Sequence, residues 1–360
     1  MIQPFFSLRC CILVGLCCFF AAGRLHTQNA ATTLIRDLRQ IHTPNGIEVS
    51  KEVILNDVPQ WITVRGKDKN NPILLFVHGG PASPVMPISW AFQNAWEDFF
   101  TVVQWDQRYA GKNWLSADTA VAAQNLSPDL IIRDGLDLID TLRAILNQDK
   151  VFVLGYSFGS KIGIEMAAAA PQKIHAFIGM GQVTDLQPEQ YLYERLVELA
   201  TADDNQTALQ ELKSIAPYPN PEGATPVGKL LRARKWARFY NGGWYGKPDF
   251  NLLFSLPELS PDYTPAAIEV LHVSTAWVSR KIMRNTQNKP MPLQFEVPIL
   301  FFMGKHDLHT PYEPARSYFD KINAPYKKFV TFEFSAHVPM LEEPGKFLLA
   351  LVTEVLPLAK

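Results

Sequence analysis

A serine between two glycines follows an apolar run and precedes an alanine-rich helical pattern, in the sequence Gly155-Tyr156-Ser157-Phe158-Gly159. The G-x-S-x-G spacing in this context is typical of a sharp strand-to-helix turn that exposes a serine hydroxyl at the edge of a sheet. The glycines relieve the crowding that such a strained turn creates. We therefore predict that Ser157 is a catalytic nucleophile rather than an ordinary turn residue.

A serine hydroxyl is a weak nucleophile without a base, so a histidine and an orienting carboxylate should accompany Ser157. Asp307 and His337 each follow a short apolar run that predicts a strand. Their order along the chain, serine then acid then histidine, is the usual order with this type of turn. We predict that Ser157, Asp307 and His337 form a triad, with Asp320 and His309 as weaker rivals.

Acyl transfer also needs backbone N–H donors for the oxyanion of the tetrahedral intermediate. The amide of Phe158, directly after the nucleophile, is one predicted donor. The loop His78-Gly79-Gly80-Pro81 follows the apolar run 73–77 and should supply the other. Proline has no N–H, so we predict Gly80 as the second donor of the oxyanion hole.

The cysteines and histidines argue against other kinds of chemistry. All four cysteines lie within the first 18 residues, which excludes a disulfide framework or a cysteine nucleophile in the rest of the chain. His306 and His309 share a loop, but no further metal ligands cluster with them in the sequence. We therefore expect no metal and no cofactor.

The N-terminus predicts export. Arg9 precedes an apolar run over residues 10–20 that ends in Ala21-Ala22-Gly23, the pattern of a secretory signal peptide. The run is shorter than the roughly 20 residues needed to span a bilayer, so an uncleaved anchor is the less favoured reading. We predict a signal peptide over residues 1–23, a periplasmic or secreted protein, and no membrane attachment after cleavage.

The balance of charged residues bears on which kinds of partner the protein binds. The 34 Lys and Arg residues nearly balance 35 Asp and Glu residues, giving a formal net charge of -1. This balance argues against a nucleic-acid-binding protein. Charged residues make up 19% of the chain, below the typical ~25%, and indicate a well-filled core.

Strand-like and helix-like patterns alternate through most of the remaining chain, which predicts an α/β fold with a mostly parallel sheet and helices on both faces. Helical patterns alone occupy the region after residue 186, which is too long for an ordinary loop. We predict an N-terminal extension over residues 24–45, a core built from residues 46–186 and 290–360, and a helical cap over residues 187–289.

These landmarks together resemble the α/β-hydrolases of the proline iminopeptidase type over about residues 46–357. The matching segments are His78-Gly79-Gly80-Pro81, Trp105-Asp106-Gln107-Arg108, Gly155-Tyr156-Ser157-Phe158-Gly159-Ser160, Gly304-Lys305-His306-Asp307 and the His337 loop. The resemblance implies a metal-independent serine hydrolase with a helical cap, removing N-terminal residues, often proline, from short peptides.

Several positions depart from that family. Ala82 and Tyr109 stand where glycine is usual, and the turn carries Tyr156 and Phe158 where glycine and tryptophan are frequent. Aminopeptidases of this type read the free amine of the substrate with acidic cap residues. Candidates are Glu189, Glu194 and Glu198, although the last two are helical neighbours that could equally form a solvated face.

Two other functions remain open. A carboxylic-ester hydrolase would use the same triad with a cap that reads no amine. A hydrolase-fold binding protein without catalysis is the second alternative, but such proteins usually lack a member of the triad. Epoxide hydrolase or haloalkane dehalogenase chemistry is disfavoured because it uses a carboxylate nucleophile, whereas this turn carries a serine.

Overall fold

The computed structural model describes residues 30–121, 126–222, 225–284 and 290–359. The predicted signal peptide over residues 1–23 and the start of the predicted extension lie outside these ranges. Among the described residues, no helix has both the length and the apolarity that a bilayer span requires. A short helix over residues 30–38 precedes the sheet.

The centre of the fold is an eight-stranded sheet in the order β1-β2-β4-β3-β5-β6-β7-β8. Its strands are β1 Ile47–Leu55, β2 Val58–Gly66, β3 Ile73–Val77, β4 Thr101–Trp105, β5 Val151–Tyr156, β6 Ile174–Met180, β7 Ile299–Gly304 and β8 Lys327–Phe332. β1 pairs with β2 and β2 with β4 antiparallel, and every later pairing is parallel. The predicted α/β class with a mostly parallel sheet is confirmed.

The inner strands are buried on both faces, which explains why they read as unbroken apolar runs. All five residues of β3 are fully buried. Because successive side chains of a strand point to opposite faces, Ile73 and Leu75 enter one hydrophobic core and Leu74 and Phe76 the other. Helices cover both faces of the sheet: α1 Pro128–Leu146, α2 Phe158–Ala169, α9 Tyr312–Lys321, α10 Pro339–Glu342 and α11 Pro344–Ala350.

The boundaries of α1 follow the sequence signals. Ser127 has extended backbone geometry, and its side chain accepts a 3.3 Å hydrogen bond from the amide of Leu130. Pro128 occupies the first helical position, where a missing N–H costs nothing. Asn147 ends the helix in the left-handed conformation with φ of 51°.

Between β6 and β7 the described residues are mainly helical. The helices are α3 Pro188–Ala202, α4 Gln206–Ile215, α5 Val227–Phe239, α6 Asn251–Ser255, α7 Pro265–Glu269 and α8 Leu271–Arg284. The helices α3, α4 and α5 share a small core of their own, which includes Leu196, Leu212 and Trp236. We call this helical region, residues 187–284, the cap.

Three sequence patterns extend beyond the elements that they form. The helical pattern over residues 266–284 is divided at Val270 into α7 and α8. The apolar pattern over residues 329–334 belongs to β8, which ends at Phe332 because the next residues turn toward the His337 loop. The helical pattern that begins at Pro344 is an α-helix only as far as Ala350, and wider helical turns follow through Val355.

Candidate active site

The structure brings Ser157, Asp307 and His337 together at the carboxyl ends of β5, β7 and β8. Nε2 of His337 lies 3.1 Å from Oγ of Ser157, and Nδ1 of His337 lies 2.8 Å from Oδ2 of Asp307. Asp307 and His337 are buried. The geometry is that of a nucleophile hydrogen-bonded to a base, which is in turn held by a carboxylate.

Asp307 is held by its own loop. Its Oδ1 accepts the amides of His309 at 2.7 Å and Thr310 at 2.9 Å, and its Oδ2 accepts the Thr310 hydroxyl at 2.7 Å. The Thr310 hydroxyl also lies 3.3 Å from Nδ1 of His337. The sequence analysis did not identify Thr310. The only sequence feature that could have indicated its role is a hydroxyl side chain three positions after Asp307.

The rival residues lie in different surroundings. Asp320 is exposed on α9 and forms an ion pair with Arg316, at 3.1 Å. The ring of His309 stacks on that of His337, with centroids 5.2 Å apart and 26° between the planes. Burial, and then the neighbouring His337, lower the pKa of His309 well below its ordinary value. His309 therefore packs as a neutral ring beside His337.

The turn that carries Ser157 is strained and crowded. Ser157 has φ of 54° and ψ of -125°, a conformation that L-residues rarely adopt. A Cβ atom at Gly155 would lie 2.6 Å from the carbonyl oxygen of Gly159. A Cβ atom at Gly79 would lie 2.7 Å from Cβ of Ser157 and 3.2 Å from the amide nitrogen of Phe158. Gly79 is therefore required by close backbone approach, a role that the sequence alone did not reveal.

One predicted oxyanion donor is next to Ser157 in the chain, and the other lines the same cavity. Phe158 is the first residue of α2, and Gly80 lines the same cavity as Ser157. Hydroxyl groups on α8 hold the chain directly after Gly80: Ser279 donates to the carbonyl of Pro81 at 2.6 Å, and Thr275 to that of Ala82 at 2.7 Å. The cap thus fixes the loop that carries Gly80.

His78 anchors the start of that loop as a neutral imidazole. Nδ1 lies 3.0 Å from the carbonyl oxygen of Gly79, and Nε2 lies 3.2 Å from the amide of Gln107, which donates to it. The Gln107 side chain donates in turn to the carbonyl of His78 at 2.8 Å. Burial lowers the pKa of His78 to about 4. The neutral tautomer therefore connects the loop to the end of β4.

A half-buried carboxylate, that of Glu342, holds the loop around His337. Glu342 accepts the amides of Ala336 and Val338, each at 3.0 Å, and the amide of the cap residue Tyr245 at 2.5 Å. The amide of His337 itself donates to the carbonyl of Gly243, also in the cap, at 3.1 Å. Burial raises the pKa of Glu342. The position of His337 is therefore tied to the cap by two backbone contacts.

The Trp105-Asp106-Gln107-Arg108 segment braces the loops beneath the site. Arg108 forms a bidentate pair with the buried Asp134, with both N–O distances 2.7 Å. Asp106 accepts the Tyr263 hydroxyl of the cap and the amide of Lys112, the latter at 2.9 Å. Burial raises the pKa of Asp106 to about 6. Neither Asp106 nor Arg108 lines the cavity at Ser157, so we interpret these contacts as structural.

The three predicted amine readers do not line the cavity at Ser157. Glu189 pairs with Arg234 and accepts the Tyr218 hydroxyl within the cap. Glu194 accepts from Gln190 at 2.6 Å, and Glu198 is 65% exposed in a pair with Arg195. The structure therefore does not bring these three carboxylates to Ser157.

The cavity at Ser157 has a volume of about 600 Å³ and is also lined by Gly80 and His337. Its acidic lining residues are Glu258, in the turn that follows α6, and Glu269 at the end of α7. Both side chains are exposed to solvent. No regular pattern marks either residue in the sequence, which is why sequence reasoning missed them.

His306 and His309, the two histidines that share a loop, have aromatic neighbours. The His306 ring lies 4.5 Å from the ring of Tyr245, and the His309 ring lies 5.1 Å from that of Phe250. In the described part of the chain, no three His, Cys, Asp or Glu side chains group as metal ligands would.

Comparison with known proteins gives consistent matches. A family model for the alpha/beta hydrolase fold matches residues 72–344. A probable aminopeptidase of Bacillus subtilis is 26% identical over 318 residues, covering 84% of this chain and 94% of its own. A Mycobacterium smegmatis proline iminopeptidase structure (TM-score 0.55, 20% identity) covers 86% of this chain and 98% of its own. A Thermogutta terrifontis esterase structure (TM-score 0.52, 15% identity) covers 87% of this chain and 100% of its own. These matches confirm the resemblance inferred from the motifs.

Proposed function

Because the chain belongs to the alpha/beta hydrolase fold family, we propose that it is a serine aminopeptidase that releases N-terminal residues from short peptides. The observation that carries the proposal is that hydrogen bonds connect Asp307 to His337 and His337 to Ser157. Ser157 and His337 line a cavity that is also lined by the carboxylates of Glu258 and Glu269. The similarity to a probable aminopeptidase of Bacillus subtilis supports the choice of substrate.

The proposed reaction has two steps. Nε2 of His337 removes the proton from Ser157 as Oγ attacks the scissile carbonyl, and Asp307 stabilises the imidazolium that forms. The amides of Phe158 and Gly80 donate to the developing oxyanion. His337 then gives the proton to the leaving amine, and water cleaves the acyl-enzyme with His337 again as the base.

We assign recognition of the substrate's free amine to Glu258 and Glu269 in place of Glu189, Glu194 and Glu198. An ammonium group within a few ångströms of a carboxylate is favoured, more strongly where water is partly excluded. Both carboxylates line the cavity that contains Ser157, whereas the three earlier candidates pair elsewhere in the cap.

The test compares L-leucine p-nitroanilide with its N-acetylated form and with a short p-nitrophenyl ester. The proposal expects N-acetylation to lower kcat/KM by about 10-fold, because ammonium contacts with two solvent-exposed carboxylates together contribute roughly 1 to 2 kcal/mol. Equal hydrolysis of both anilides would contradict it. Glu258→Gln and Glu269→Gln should each lower kcat/KM for the free-amine substrate only, with Glu198→Gln as the matched control.

A carboxylic-ester hydrolase is the second candidate. The predominance of apolar residues along the cavity wall favours it, since an ester of an apolar acid requires no amine contact. Rapid hydrolysis of p-nitrophenyl esters with no cleavage of any free-amine anilide would support this candidate over the aminopeptidase.

We further propose that the protein is exported, on the strength of the charged and apolar pattern in residues 1–23. The test is the N-terminal sequence of the protein recovered from its native cells. A mature chain beginning after Gly23 is the expected result, and an N-terminus that retains the apolar run would contradict cleavage.

A further inference from the structure

The cavity at Ser157 is larger and more apolar than a proline-sized residue requires. Its volume of about 600 Å³ falls in the range of sites that enclose drug-sized ligands. The wall is built mainly from apolar side chains of the cap, of the loop after Gly80 and of the loop after His337. Examples are Val85, Ile88, Leu253, Leu271, Met340 and Phe250.

A small side chain would leave most of this wall in contact with water. Val85, Ile88 and Leu271 are each less than 9% exposed, so the wall is supported from behind by the protein core. On such a wall, the favourable binding free energy of a substrate increases with the apolar area that the substrate covers. A methyl group covers little of it, a pyrrolidine ring covers more, and a leucyl or phenyl side chain covers the most.

The carboxylates differ from this wall in their exposure. Glu258 and Glu269 are exposed, whereas the apolar residues that line the cavity are mainly buried or half-buried. The cavity therefore offers carboxylates to an amine and apolar side chains to the side chain next to that amine. An N-terminal residue with a large apolar side chain presents both groups to the carbonyl that Ser157 would attack.

We propose that this site is selective for peptides with a large apolar N-terminal residue, such as leucine, methionine or phenylalanine, rather than for N-terminal proline. The inference rests on the proposed aminopeptidase function. Leu253 of α6 is assigned as a specificity-determining residue because it is half-buried on the cavity wall.

The experiment measures kcat/KM for the p-nitroanilides of leucine, phenylalanine, alanine and proline. The values of kcat/KM for the leucine and phenylalanine anilides should exceed those for the alanine and proline anilides by about 10- to 100-fold. This is the usual discrimination that a few methylene groups provide in an apolar pocket. Leu253→Trp should fill part of the cavity and reduce that ratio by about tenfold. Leu252→Trp is the matched control, because Leu252 adjoins Leu253 but is 48% exposed and does not line the cavity.

The outcomes separate the two proposals. If the proline or alanine anilide is cleaved as fast as the others while N-acetylation still lowers kcat/KM, the selectivity is wrong and the aminopeptidase function stands. If Leu253→Trp and Leu252→Trp change the ratio equally, the assignment of Leu253 is wrong. If no free-amine anilide is cleaved, the proposed function fails and the selectivity falls with it. Circular dichroism of both variants checks that they fold.

Discussion

Oδ2 of Asp307 lies 2.8 Å from Nδ1 of His337, although 30 positions separate the two residues. The other oxygen of Asp307 accepts two amides of its own loop, so the carboxylate has one orientation. A carboxylate in this position places the proton on Nδ1 and leaves Nε2 to accept from Ser157. The arrangement therefore fixes both the direction and the tautomer of His337.

Replacing Asp307 with asparagine should remove this control of the tautomer. The side-chain amide of asparagine can donate to Nδ1 of His337, which places the ring proton on Nε2. A protonated Nε2 cannot accept the proton of Ser157. We expect Asp307→Asn to lower kcat by about 10⁴-fold with the fold intact. Asp320→Asn is the control, because Asp320 is an exposed partner of Arg316. Steady-state kinetics should show an unchanged kcat for Asp320→Asn. Similar small losses of kcat in both variants would contradict the role assigned to Asp307.

Gly79 should be intolerant of a side chain. An alanine Cβ there would lie 2.7 Å from Cβ of Ser157 and from the carbonyl oxygen of Tyr156, so the nucleophile turn must shift. A displacement near 1 Å costs about 10²-fold in rate, which is the expected loss of kcat for Gly79→Ala. Gly228→Ala is the control, since nothing lies within 4 Å of its added Cβ. Full activity of Gly79→Ala would refute this close approach.

Glu342 should position His337 rather than take part in the reaction. Glu342→Ala removes the acceptor of three amides, so we expect kcat to fall about 10- to 100-fold with a small change in KM. Glu342→Gln keeps one acceptor oxygen and should recover much of the loss. Glu354→Ala, which removes a pairing with Lys328 at 3.0 Å, is the control. Equal activity of the alanine and glutamine variants would contradict a positioning role.

His78 should make the folded protein less stable in acid. Its folded pKa of about 4 lies below the ordinary 6.5, so the unfolded chain binds its proton first as the pH falls. The free energy of unfolding should therefore fall by up to about 3 kcal/mol between about pH 6.5 and pH 4 through this group alone. His78→Asn should flatten this pH dependence in urea-unfolding curves, whereas replacement of the exposed His42 should not.

Asp106 should change the free energy of unfolding with pH in the opposite direction to His78, over an overlapping pH range. Its pKa is raised to about 6, so the folded protein holds the proton longer and its contribution to stability is lost as the pH rises from about 3.8 to 6. Asp106→Asn should therefore steepen the loss of stability toward acid that His78 produces. If both variants flattened the pH dependence, the same unfolding curves would contradict the assignment of Asp106; if both steepened it, they would contradict that of His78.

The fold and the predicted triad residues were accessible from the sequence because parallel strands end at one edge of a sheet. Ser157, Asp307 and His337 each follow an apolar run, so their spatial convergence needed only the order of the strands. The antiparallel hairpin of β1 and β2 was not predicted. Its two turn residues, Asn56 and Asp57, both have positive φ, and such a pair between alternating patterns is the signal that would have found it.

Residues whose role depends on distant partners were not accessible. Glu189 was predicted to face the substrate, but Arg234, 45 positions away, draws its carboxylate into the cap. Glu342 has no motif, and its importance comes from three amides that only the folded loops bring together. Side chains that act through tertiary contacts leave no periodic or local pattern in the sequence.

The identity of the nucleophile can be measured directly by treating the folded protein with a fluorophosphonate and mapping the modified peptide by mass spectrometry. An activated serine forms a stable phosphonyl adduct because His337 accepts its proton. We predict a single adduct on Ser157, accompanied by complete loss of activity, and no adduct in Ser157→Ala. An adduct on another residue, or an unmodified Ser157 in a protein that hydrolyses its substrate, would contradict the proposed mechanism.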